Sequence, residues 1–348
     1  MTRGDMASAE SMFRRALTIK TSKRGAPEDI GTTHGNLGLV LLEQGRLEEA
    51  GTQFKSAVDL RRSQASPLEM AALLTNLARI ERLRGHADTA SAAAREALDL
   101  RRAEMPQSLL VAATAAELGL AREAAKAYDD ALALHREALA IREKMAPNSS
   151  DVAESLERIA IVTSIAGDPL SARNAFERAV AAWEKVSPGS LDHVNVIHEL
   201  GSFLVGKGDP DEGLRRMREA IDLLEKSRSP RPVGTLEARA QLATRLQSYY
   251  GEPMRILAER GDAGAAFSLL DRMHERLRFA RCTTCDEMPP PGQPIDALKK
   301  GIEEGTLVVA YSVQPDATYA FVATRTTPMR VYRIDETSDA LGDRVSKF

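Results

Sequence analysis

Two cysteines near the C-terminal third of the chain have the spacing of a chemical site. Cys282 and Cys285 are separated by two threonines, as in zinc-binding and redox-active cysteine pairs. A structural zinc ion needs four ligands, and the sequence has no second cysteine pair and no histidine pair to complete the set. A redox pair would lie between a strand and a helix, whereas prolines follow this one. We therefore interpret them as linker cysteines, with zinc or redox chemistry as the alternative, and predict no metal and no cofactor.

A second pattern, His34-Gly35, matches the histidine-glycine pair found in caspase-like catalytic sites. It lies three residues before Leu37, within a regular helical pattern, so we interpret His34 as a packing or groove residue. The sequence also contains no glycine-rich phosphate loop, no His-Glu-x-x-His motif, no Gly-x-Ser-x-Gly motif and no paired-carboxylate motif. We therefore predict no catalytic residue in this chain.

Small residues recur at a nearly constant step through the first two thirds of the sequence. The alanines of the leading series lie 40 or 41 positions apart and are Ala16, Ala57, Ala97, Ala138, Ala179 and Ala220. A second small residue precedes each of them by seven positions, and a glycine precedes five of the six by twelve. A fixed period of roughly 20–50 residues is typical of stacked supersecondary units rather than of one globular core.

Each unit is predicted to contain two helices joined by a tight turn. Apolar residues on both sides of Gly45 recur three or four positions apart, which is the helical period. A glycine at this point can adopt the left-handed conformation that ends a helix. After Gly167 and Gly208 an aspartate and a proline follow, and these residues favour a helix start. Lys126 replaces the glycine in one unit, so we expect a looser or longer turn there.

The order Leu37-Gly38, Ala50, Phe54 and Ala57 resembles the tetratricopeptide repeat. A period near 41 exceeds the usual 34 residues and is similar to the long repeats of kinesin light chains. The resemblance covers residues 1–280, about seven helix-turn-helix units of which the first is incomplete. It implies a mainly α fold, namely a right-handed α-solenoid whose concave face binds a peptide or a protein.

The first helix of each unit is the predicted recognition surface, because the small residues of the second helix are used where the two helices cross. Asn36 and Asn76 occupy equivalent positions, where their amides can hydrogen-bond the backbone of an extended peptide. Stabilising neighbouring helix ends is the alternative role for these amides. The predicted groove residues are Asn36, Leu39 and Glu43 in one unit and Asn76, Arg79 and Leu83 in the next.

Arginines form another column, four residues after the alanines of the leading series. They are Arg61, Arg101 and Arg142, and Trp183 takes the next place. Because long cationic side chains keep their charged ends in water or pair with carboxylates, we expect these arginines to be solvated or ion-paired within their own unit.

The pattern changes after a proline-rich stretch at 289–294, which is incompatible with a helix or a central strand. Residues 281–297 are therefore a predicted linker. Beyond them, β-branched and alternating residues predict strands near 306–313, 317–324 and 329–334. The short links between these strands favour an antiparallel meander.

The segment Gly305–Tyr311 and the two strands after it resemble the start of a CHAT domain, a caspase-like domain that is common behind tetratricopeptide repeats. The resemblance implies that residues 298–348 are the N-terminal portion of a truncated α/β caspase-like domain. It also implies that the complete protein is a cysteine peptidase with a His/Cys dyad. No position here matches that dyad, so enzymatic activity of the complete protein is left open. We expect a fragment that is cut at both ends.

Composition limits the partners that this chain can attract. Lys and Arg number 47 against 50 Asp and Glu, a formal net charge of −3, so we predict no nucleic-acid and no membrane partner. No apolar stretch is long enough for a membrane span or a signal peptide, so we predict neither segment. Two cysteines in 348 residues favour a cytoplasmic location.

The expected function is a protein–protein interaction scaffold that recognises a peptide or protein through the groove and regulates or targets an adjoining CHAT peptidase domain. Two alternatives remain. The complete protein is chiefly a peptidase supported by the repeats, or it is an inactive assembly hub. The oligomeric state is left open.

Overall fold

The protein is mainly α-helical, with a small sheet near its C-terminal end. The computed structural model describes residues 3–226, 236–281, 299–314 and 316–336. The helices are α1 (Arg3–Ser22), α2 (Pro27–Glu43), α3 (Leu47–Arg61), α4 (Pro67–Leu83), α5 (Ala87–Glu104), α6 (Leu109–Ala124), α7 (Tyr128–Met145), α8 (Ser150–Ile165), α9 (Pro169–Val186), α10 (Leu191–Gly206), α11 (Pro210–Lys226), α12 (Leu236–Glu259) and α13 (Ala263–Arg281). The strands are β1 (Val308–Val313), β2 (Thr318–Ala323) and β3 (Arg330–Ile334).

Two compact units divide the chain, residues 1–188 and residues 189–348. Cys282, Cys285 and residues 282–297 of the predicted linker lie outside the described residues, and so do residues 337–348 of the predicted CHAT-like segment. The predicted domain limits at 280 and 298 therefore stay predictions. No helix in the described ranges is both long enough and apolar enough to cross a membrane.

In the first unit α1 is followed by four helix pairs, α2/α3, α4/α5, α6/α7 and α8/α9, and each pair packs on the next. The predicted crossings are confirmed by burial. The alanines of the two repeating series in these four pairs are all fully buried, at 0% exposure, namely Ala50, Ala57, Ala90, Ala97, Ala131, Ala138, Ala172 and Ala179. A Cβ atom added to Gly38 would lie 2.6 Å from the ring of Phe54, so the two helices approach as closely as a glycine allows.

His135 occupies the position in its helix pair that Phe54 and Phe176 occupy in theirs. His135 is buried against Gly119, where an added Cβ would lie 2.6 Å from the imidazole ring. The Nε2 atom of His135 lies 2.6 Å from a carboxylate oxygen of Glu123 on the paired helix. A hydrogen-bonded imidazole thus replaces an apolar ring at this crossing.

The turns between paired helices share one backbone conformation. Gly45, Gly85 and Gly167 have φ of 74°, 81° and 89°, and Lys126 has φ of 59°. The N–H of Lys126 donates to the Glu123 carbonyl at 2.8 Å, as that of Gly85 donates to the Arg82 carbonyl at 3.0 Å. The expectation of a looser or longer turn at Lys126 is therefore wrong. The non-glycine residue keeps the tight turn and carries the strain of a left-handed backbone.

The second unit contains the helix pairs α10/α11 and α12/α13 and the sheet. A proline inside a helical pattern predicts an interruption, here at residues 249–253, but α12 continues through Pro253. Proline provides no N–H for the carbonyl of Tyr249, four residues earlier. The ring of Tyr249 meets that of His198 on α10 edge-on, with 5.4 Å between centroids, so this part of α12 is packed against the neighbouring pair.

The three strands form an antiparallel sheet of order β1-β2-β3, which confirms the predicted meander. In its register Val309 pairs with Val322, and Phe321 pairs with Val331. One face packs on the helices: the ring of Phe321 meets that of Phe267 edge-on, with 5.9 Å between centroids. The other face exposes large apolar side chains, namely Val309, Tyr311, Val313, Tyr332 and Ile334.

Replacing Lys126 by glycine should stabilise the protein by about 1 kcal/mol, because glycine adopts the left-handed conformation without a Cβ clash. The midpoint of urea unfolding is the measurement. The matched control is Gly85→Lys at the equivalent turn, which should lose a similar amount. An unchanged or lower midpoint for Lys126→Gly would contradict the shared turn geometry.

His198 should make stability depend on pH. Burial, opposed by the charge of Glu252, lowers the pKa of His198 below its ordinary value. The unfolded chain therefore binds this proton more readily, and stability is lost as pH falls below about 6.5. His198→Gln keeps an N–H donor without the charge. It should reduce the loss of thermal stability between pH 7 and pH 5, and an identical loss in both proteins would refute the assignment.

Candidate binding groove

The six predicted groove residues lie on α2 and α4, the first helices of two consecutive pairs. The structure brings three of them to one cavity of about 210 Å³: Asn36 and Leu39 from α2, and Asn76 from α4. The remaining three, Glu43, Arg79 and Leu83, are exposed on the same helices and do not line this cavity.

Small and apolar side chains form most of the cavity wall. Its further lining residues are Thr32, Gly35, Phe54, Arg61, Glu69, Ala72 and Leu73. Sequence reasoning missed these residues, although the isolated Gly35 inside a helical pattern was a usable signal because such glycines often mark a close approach. Leu39 on the rim is 43% exposed, so the cavity opens to solvent beside an apolar side chain.

The two asparagine amides differ in what they bind. The Nδ2 atom of Asn76 donates to the Ala72 carbonyl of its own helix at 3.2 Å. Within the described part of the chain, the side chain of Asn36 has no hydrogen-bond partner. The Asn36 amide is therefore available to a ligand, and Asn76 keeps its side-chain oxygen for one.

One ion pair lies at the cavity edge. The guanidinium of Arg61 is 3.1 Å from the Glu69 carboxylate and donates to the Thr32 hydroxyl at 2.7 Å. Hydrogen bonds from Ser66, and in addition the charge of Arg61, lower the pKa of Glu69. Glu69 is thus ionised at neutral pH and neutralises Arg61 beside the cavity.

The structure differs from the expectation for the arginine column at Arg101 and Arg142. Arg101 and Arg142 are each only 7% exposed, so they are neither solvated nor ion-paired within their unit. Arg101 donates to the Leu110 carbonyl at 3.1 Å and to the Thr114 hydroxyl, both on the next helix pair. Burial lowers the pKa of Arg101. Arg142 donates to Ser155 at 2.6 Å in the same manner.

The histidine of the His34-Gly35 pair and the acidic side chains can be compared with the expectations from the sequence. His34 lies 2.7 Å from the side-chain oxygen of Gln53 on the paired helix, which is a packing contact. Across residues 3–226, 236–281, 299–314 and 316–336, no three His, Cys, Asp or Glu side chains are grouped as metal ligands. Because Cys282 and Cys285 fall outside those ranges, their assignment to a linker stays a prediction.

Solved structures share this fold at low sequence identity. BtubC (BKLC) from P. vanneervenii matches with a TM-score of 0.52 and 17% identity over 67% of this chain and 94% of that one. A putative kinesin light chain with nearly identical TPR-like repeats from Podosopora anserina matches with a TM-score of 0.52 and 19% identity, covering 58% and 99%. The apo form of RapI matches with a TM-score of 0.54 and 14% identity, covering 72% and 93%. No curated protein matches the chain.

The tetratricopeptide-repeat family model matches four overlapping segments, residues 1–63, 29–103, 69–144 and 110–185. Together they span residues 1–185, which is more than half of the 348 residues. The chain belongs to the tetratricopeptide-repeat family, and its helices form a mainly α repeat solenoid.

Proposed function

We propose that the protein is an interaction scaffold that binds a peptide or an extended protein segment in the groove between α2 and α4. The observation that carries this proposal is the cavity of about 210 Å³ in which apolar walls adjoin the Asn36 amide. The Asn36 side chain is exposed, so its amide is accessible, and a bound peptide backbone can satisfy both its donor and its acceptor.

The rest of the helix surface supports the same location. In the equivalent position of the next pair, Glu117 is held by Arg82 at 2.8 Å. In the pair after that, Arg158 lies within 3.6 Å of the Glu157 carboxylate. These side chains are already paired, so the asparagines of α2 and α4 are the groups in this column best suited to a neutral backbone.

Replacing Asn36 and Asn76 together by alanine should weaken peptide binding about tenfold or more. Each lost hydrogen bond contributes about 0.5–1.5 kcal/mol. The probe is a fluorescent nonapeptide selected from a displayed random library on the intact chain, and the measurement is fluorescence anisotropy.

The matched control for that variant is Asn148→Ala, because Asn148 is exposed between α7 and α8 and lies outside the groove. Melting temperatures of the variants and the parent should agree, since Asn36 and Asn76 make few contacts in the fold. Unchanged affinity of the double variant for every selected peptide would exclude this groove as the site.

We also propose that the sheet opens a CHAT-type α/β domain, which the repeats regulate or target in the cytoplasm. The exposed apolar face of β1 and β3 supports this proposal, because a sheet in an α/β domain is covered on both faces. Tyr319 on the opposite face donates to Glu259 of α12 at 3.1 Å, so one face is already held by helices.

The reading frame past Phe348 tests this second proposal. Strands followed by a His-Gly pair and a later strand-end cysteine would support a regulated peptidase. Such strands without the dyad would favour the inactive hub, and a frame that encodes no further α/β segment would overturn the CHAT assignment. The groove proposal does not depend on this result.

A further inference from the structure

Gly35 is one of the residues that line the cavity in the groove between α2 and α4. A Cβ atom added to Gly35 would lie 3.4 Å from Leu73 and 4.0 Å from Ala57, which are ordinary contact distances. The packing of α2 against α3 and α4 therefore does not require glycine at position 35. Gly38 differs, because a Cβ atom there would clash with Phe54 of α3. Gly35 and Asn36 both line the cavity, so a side chain longer than a methyl group at position 35 is expected to extend into it.

The next helix interface, between α4 and α6, shows what happens when the same positions carry other residues. Gly35 is replaced there by Thr75, whose hydroxyl donates to the Ala71 carbonyl at 2.7 Å. Leu73 is replaced by Thr114, which binds the buried guanidinium of Arg101. At this second interface the equivalent space is thus occupied by polar side chains of the protein itself, whereas at the first interface apolar walls surround an opening.

The charge of the cavity defines the kind of side chain that fits. Arg61 and Glu69 are the ionised residues in its lining, and they neutralise one another at 3.1 Å. A charged ligand group would lose its hydration in the cavity and find no free opposite charge there, because Arg61 and Glu69 already pair with each other. Burying that unpaired charge would cost free energy. A volume of about 210 Å³ is several times the ~30 Å³ of a water molecule and suits one large uncharged side chain.

We propose that this cavity is an anchor pocket for a single leucine, methionine or phenylalanine side chain of an extended peptide, and that Gly35 sets this specificity. The inference rests on the proposed function of the groove and names its partner chemistry. The apolar side chain enters between Leu39 and Leu73, while the Asn36 amide binds the adjacent peptide backbone.

Selected nonapeptides test the anchor directly. They should share one leucine, methionine or phenylalanine, and changing that residue to alanine should weaken binding at least tenfold without any change to the protein. Gly35→Leu should weaken binding of the original peptide at least tenfold, because its side chain fills the pocket. The melting temperature of Gly35→Leu should be maintained or raised, since leucine favours helix and the Cβ has room.

The matched control is Thr75→Leu, the same helix position one unit later, which should bind the peptide as the parent does. Suppose that Gly35→Leu binds the original peptide normally, that the parent protein binds the alanine-substituted peptide normally, and that the Asn36/Asn76 double variant binds weakly. The groove proposal then stands and the anchor proposal is overturned. If all of these bind normally, or if no peptide is selected, the groove and the anchor are both wrong. Should Gly35→Leu lower the melting temperature, the alanine peptide alone decides the outcome.

Discussion

The close approach of paired helices at small residues is the constraint on which the rest of the structure depends. Ala50 and Ala57 are fully buried where α2 and α3 cross, and Gly38 leaves room for Phe54. Interiors are packed to near crystal density, so an extra methylene at such a crossing forces the helices apart. This requirement fixes which face of each helix is used internally. The exposed side of the first helix is then free to vary, and Asn36 and Leu39 lie on that side at the edge of the cavity.

Buried arginines connect one helix pair to the next. Arg101 and Arg142 extend from the second helix of a pair to hydroxyl and carbonyl oxygens of the following helix. Removing a guanidinium from water is costly, and hydrogen bonds to neutral oxygens compensate only in part, as the lowered pKa of Arg101 indicates. Their long aliphatic stems add apolar contact across the interface. Each repeat contacts only its neighbours, so these hydrogen bonds help to fix the position of each helix pair against the next.

The sequence was sufficient to predict the helix pairs, the small-residue crossings and the meander, since these follow from periodicity and local propensity. It failed at Lys126 and at Pro253, where tertiary context outweighs the local preference. The neighbouring turn bonds hold Lys126 left-handed, and α12, which is packed against α10 at Tyr249 and His198, continues through Pro253. The arginine column was misjudged because periodicity reports which residues share a face but not which neighbour covers it. For the same reason the sequence indicated Asn36 but not the cavity beside it.

The order of the repeats is encoded in side chains that the shared backbone does not determine. Between successive second helices, Arg62 pairs with Glu96 at 2.7 Å and Arg102 pairs with Glu137 at 2.6 Å. At the following interface the charges are reversed, since α7 contributes the glutamate and α9 the arginine of a pair at 2.9 Å. Exposed pairs of this kind contribute at most about 1 kcal/mol each to stability. If α5 packed on α9 instead of α7, however, Arg102 would face Arg178, and two like charges would lie together. This repulsion disfavours a stack in which α5 packs directly on α9.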